Sequence, residues 1–140
     1  MPFLNETTGT ISLDGGIRFT AHMPRKALLK MLLALSGNAP DAEDAGVLLI
    51  PACTACGGKL APVCTLQNHV LTEITLTVVS VGQRLQLTAE QQRAFLLSCI
   101  GVKDPCPDTY RPCEFNCAFG SMLLHCDPRL GSASLRIVYE

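Results

Sequence analysis

The chain has 140 residues, enough for one domain around a single core, and 48% hydrophobic against 16% charged residues excludes intrinsic disorder. Lys and Arg number 11 against 12 Asp and Glu, a net charge of -1 with no basic block, so nucleic-acid binding led by phosphate contacts is excluded. Aromatics are only 5% with Trp absent, which removes the stacking platforms of single-strand binders.

The first elements are a strand at residues 8–13, a turn at Asp14, Gly15 and Gly16, and a second strand in which Ile17, Phe19 and Ala21 alternate with Arg18, Thr20 and His22. Pro24 suits the first position of a helix, where its missing N–H costs nothing. Leu28, Leu29, Leu32 and Leu33 form an apolar stripe at helical spacing, and Gly37 suits the C-cap. Arg25, Lys26 and Lys30 stand at the unfavourable end of the helix dipole. Residues 38–44 form a polar loop with Asp41, Glu43 and Asp44, and the continuous apolar run 46–51 predicts a central strand. After the small, Gly-rich stretch 53–59, residues 60–66 and 70–79 read as a hairpin across Gln67, Asn68 and His69. In its second strand Thr72, Ile74, Leu76 and Val78 face one way, and Glu73, Thr75 and Thr77 the other.

Thr88 and Gln91 have capping-box spacing, opening a helix that buries Phe95, Leu96, Cys99 and Ile100 and stops at Gly101. Residues 103–112 carry three prolines and form an irregular surface loop. Residues 113–126 give two strand pieces broken near Gly120. A turn follows at 127–131, then a last strand with Ala133, Leu135, Ile137 and Tyr139 on one face. The chain reads as two similar halves, each with strands around one helix. The expected fold is a single α+β domain over residues 1–140, with a mostly antiparallel sheet of about seven or eight strands and two helices packed on one face.

No apolar segment reaches the roughly 18–20 residues that cross a bilayer. Residues 1–6 lack the basic and apolar regions of a signal peptide. A cytoplasmic protein with no membrane association is expected. In a reducing compartment the 8 cysteines point to metal ligands, redox chemistry or small core residues. Cys53 and Cys56 have the CxxC spacing of a zinc knuckle. The only comparable second half, Cys113 and Cys117, is CxxxC, and His125 or Cys126 could complete a mixed set. A zinc-stabilised binding domain using Cys53, Cys56, Cys113 and Cys117 is therefore the alternative reading. The irregular ligand set in an already apolar chain favours no metal, no cofactor and reduced thiols. Gly57 and Gly58 leave no helix start after the CxxC, as thioredoxin-like chemistry requires. A Cys126–His22 catalytic pair is conceivable but comes with no oxyanion motif, and the carboxylates give no acid–base pair. The non-structural polar residues gather instead in the loops 38–44 and 103–111, whose prolines, Tyr and Arg suit binding to another surface.

The stretches Phe119-Gly120-Ser121, residues 126–132 (CDPRLGS) and residues 135–139 (LRIVY) carry a resemblance, together with residues 15–19 (GGIRF), 22–25 (HMPR) and Leu28-Leu29. The chain resembles small bacterial proteins encoded beside polymorphic toxins, including the Rhs-type effectors of type VI secretion. Such neighbours are commonly immunity proteins that bind the toxin domain and block its active site. The family pattern does not demand the Cys-rich middle. The resemblance implies a non-enzymatic immunity protein, a monomer holding one cognate toxin domain. Its expected partner-binding residues are Asp104, Asp108, Tyr110 and Arg111, with Asp41, Glu43 and Asp44 contributing.

Overall fold

The computed structural model describes residues 3–36, 46–84, 86–101, 112–127 and 129–140. The fold is α+β: a seven-stranded, fully antiparallel sheet, a separate two-stranded sheet and two α-helices. The small sheet pairs β1 (Ile11–Ser12) with β2 (Arg18–Phe19), around a single 3-10 turn at Asp14–Gly16. This is shorter than the strand expected at 8–13. Asn5 supplies the reason, because its side chain accepts the backbone N–H groups of Thr7 and Thr8 and turns the chain before Ile11.

The large sheet contains β3 (Val47–Leu49), β4 (Cys53–Ala55), β5 (Gly58–Gln67), β6 (Val70–Val81), β7 (Cys113–Cys117), β8 (Gly120–Asp127) and β9 (Ser132–Tyr139). Its order is β3-β5-β6-β9-β8-β7, with β4 also paired to β5. The two halves legible in the sequence therefore meet in the middle. A helix, α1 (Arg25–Ser36), precedes the β3-to-β6 meander, a second helix, α2 (Ala89–Ile100), precedes the β7-to-β9 meander, and the last strand of each pairs with the other.

Local chemistry fixes these elements. Asn68 and His69 both take positive φ (54° and 64°), the twist a two-residue hairpin requires, and close β5 onto β6. Cys56 and Gly57 do the same between β4 and β5. Pro62 lies between the β3 and β4 pairings and presents its carbonyl to Ile50, so its missing N–H faces the gap and removes no ladder bond. Thr88 caps α2 with the reciprocal Thr88–Gln91 bonds, and Gly101 ends it at φ 72°.

Two expectations are corrected. The run 46–51 forms an edge strand, not a central one: β3 pairs with β5, and only Leu48 of its three residues points into the core. Apolar residues on both faces of a short edge strand look, in sequence, like a strand buried on both faces. In β6, Thr72 does not share the core face with Ile74. The pairing passes from Leu66–Leu71 to Thr65–Glu73, so Thr72 is the extra residue of a bulge, its hydroxyl donating to the Thr65 carbonyl, and Leu71 takes the core position.

The core lies between the sheet and α2, which crosses β6, β8 and β9. Ile74, Leu76, Leu135, Ile137 and Leu96 are fully buried there. Gln92 locks the helix in place: its amide donates to the Leu87 and Gly131 carbonyls and accepts the Ala133 N–H. Helix α1 is held by Leu28 and Leu32, one turn apart, with Leu29 and Met31 only partly buried.

Candidate interaction surface

The first contributor to the surface is α1. Its Arg25 N–H bonds the His69 carbonyl at 2.9 Å, the Met23 carbonyl accepts the Leu71 N–H and the His22 N–H donates to the Leu71 carbonyl, so the helix starts against the β5–β6 hairpin. Anchoring by Leu28 and Leu32 alone turns the rest of the apolar stripe outward. Leu33 is 50% and Leu35 40% exposed. Pro24, Lys26, Ala27, Leu29, Lys30 and Leu33 line an open groove of about 540 Å³ along the helix.

The second contributor is β3, anchored at the same hairpin through the Leu66 N–H to the Gly46 carbonyl at 2.7 Å. Its alternation buries Leu48 and leaves Val47 at 49% and Leu49 at 74% exposure. Among the described residues, 6 large hydrophobics are exposed: Leu33, Leu35, Val47, Leu49, Val79 and Leu130. The first four stand on the two elements that flank residues 37–45 in the chain, the segment carrying Asp41, Glu43 and Asp44.

All seven residues expected to bind a partner, Asp41, Glu43, Asp44, Asp104, Asp108, Tyr110 and Arg111, lie outside the described residues. The exposed Leu33, Leu35, Val47 and Leu49 were not among the expected contacts. Their signal was present: neighbouring apolar residues in α1 and β3 exceed what one buried face of either element can hold.

The cysteines take up positions that separate the proposed ligands. Cys53 and Cys56 stand at β4, while Cys113 and Cys117 stand on β7, five strand spacings or roughly 24 Å away along the sheet. Cys113 and Cys117 are themselves four residues apart in one extended strand, roughly 13 Å, too far to share an ion. The four-cysteine zinc site is thereby contradicted, and among the described residues no three His, Cys, Asp or Glu side chains form a metal-sized group. The Cys126–His22 pair fails as well. His22 bonds the Glu140 carbonyl and packs beside Tyr139, whereas Cys126 pairs with Ala133 at the far end of β9, six residues or roughly 20 Å along the strand.

Cys53, Cys64, Cys117 and Cys126 are not in disulfides, and burial raises each of these thiols. It pushes that of Cys64 up to about 12. Raised thiols stay protonated at neutral pH and are poor nucleophiles. At Cys126 the nearby Arg93 guanidinium opposes the burial effect without overcoming it. Arg93, itself buried, directs Nη2 to the Cys113 sulfur at 3.5 Å beneath β7. Among the described residues no helix is long and apolar enough to cross a membrane. Compared with protein-family models, curated proteins and solved structures, the chain matches none.

Proposed function

We propose that this protein is a cytoplasmic, non-enzymatic immunity protein that binds a cognate antibacterial toxin domain and covers its active site. One observation carries the reading: four of the six exposed large hydrophobics flank the acidic segment 37–45, on two elements tied to one hairpin. Exposed apolar residues followed in the chain by three carboxylates match the composition of an interface with a dry centre and a charged rim. The resemblance to proteins encoded beside Rhs-type toxins supplies the partner class. In this reading Asp41, Glu43 and Asp44 steer the toxin's cationic site into place, and Asp104, Asp108, Tyr110 and Arg111 form a second contact loop.

The test is survival of bacteria that co-express the toxin domain encoded next to this protein's gene. Wild-type protein is expected to protect. Leu33→Asp combined with Leu49→Asp changes only exposed positions, so it leaves folding intact and is expected to abolish protection. Full protection by the folded double variant would remove this surface from the interface, and failure of the wild type to protect would overturn the immunity reading.

A further inference from the structure

Helix α2 lies across the β4–β5 turn so closely that a side chain on Gly58 would place its Cβ 2.6 Å from the Phe95 ring. Cys99 follows Phe95 by four residues and stands on the same helix face one turn on. Below it, Cys56 is held at positive φ (54°) in a turn that the Gly82 N–H ties down through the Gly57 carbonyl at 2.9 Å. The two thiols are neighbours: Cys99 is raised first by burial and then by its interaction with Cys56. They differ in access, because Cys56 is exposed and Cys99 is buried.

We propose that Cys56 and Cys99 are a thiol–disulfide exchange site that takes low-molecular-weight disulfides of the glutathione type and closes into an internal disulfide. The Cys56 thiolate attacks one sulfur of the small disulfide, forming a mixed disulfide and expelling one thiolate. Cys99 then gives up its proton to solvent and attacks the Cys56 sulfur, expelling the second thiolate. Both leaving thiolates take up the two protons released. Two protein thiols are oxidised and one small disulfide is reduced to two thiols. The new bond joins the C-terminal turn of α2 to the β4–β5 turn, closing a long loop that includes the central hairpin. The site is independent of the toxin-binding reading.

The test uses the whole protein incubated with glutathione disulfide, alkylated, and analysed by intact mass and non-reducing peptide mapping. Wild-type protein is expected to lose two hydrogens and to show the Cys56 and Cys99 peptides joined. Cys99→Ala is expected to hold one glutathione on Cys56, and Cys56→Ser to leave Cys99 as a free thiol. A wild-type protein that keeps glutathione on Cys56 without closing, joins Cys56 to another cysteine, or leaves both thiols free overturns the proposal. The wild-type map decides the question even if a variant fails to fold.

Discussion

Single residues carry several of the fold's tightest constraints. Gly120 opens β8 at φ 148°, and a Cβ there would stand 2.1 Å from the Val138 carbonyl oxygen, so only glycine lets the end of β9 approach. Tyr139 donates its hydroxyl to the Gly9 carbonyl at 2.8 Å and pins the N-terminal turn to the end of β9. Cys64 sits fully buried on β5, its thiol raised from 9.0 to about 12 by desolvation. For an acid raised in the folded state, the native form keeps its proton where the unfolded chain loses it. The stabilisation is complete below the ordinary thiol range and is lost as pH rises from 9.0 toward about 12. Buried Tyr139 shifts in the same direction. Chemical denaturation from about pH 8 to about pH 11 is expected to show stability falling by up to about 1.4 kcal/mol per pH unit from Cys64 alone. Cys64→Ala is expected to flatten that slope, and an unchanged slope would mean that Cys64 ionises freely in the folded protein.

Elements were legible where one signal stood alone. The alternation in β9, the capping box of α2 and its stop at Gly101 appear in the structure as they read in the sequence, because each answers a single local demand. β6 was legible as a strand but not in its facing, since the bulge at Thr72 depends on pairing with β5 and leaves no local trace. β3 was misplaced because exposed Val47 and Leu49 imitate burial on both faces. The pairing of β6 with β9 explains why the centre of the sheet tolerates no charge: Ile74 is opposite Cys64 on one side and Ile137 on the other, all buried. Ile74→Asp is expected to prevent folding, because a carboxylate there has no partner and loses its hydration. Circular dichroism and size exclusion check this, and a soluble variant that unfolds cooperatively would refute the central placement of β6. By contrast, the Arg136–Glu73 ion pair on the surface of the same two strands contributes little, since Arg136 remains in water.

At the scale of the molecule, the two meanders join into one sheet with α2 over the middle, while α1 and β3, whose starts are tied to the β5–β6 hairpin, leave Leu33, Leu35, Val47 and Leu49 exposed. The sequence carried the excess of apolar residues in α1 and β3, but not which of them the sheet covers, because that depends on how each element packs. The cysteines show the same limit from the other side. Their spacing suggested a shared ion, but the strand order separates Cys53 from Cys113, and the packing of α2 on the β4–β5 turn sets Cys99 beside Cys56, a pair that no spacing rule connects. The proposed function holds a toxin domain on the surface around α1 and β3. Hydrogen exchange on the protein, alone and with the proposed cognate toxin domain, tests this most directly. Protection gathered in residues 33–49 and 103–112, with the β6–β9 centre unchanged, is the expected result. Saturating toxin that leaves both segments exchanging as in the free protein would contradict it.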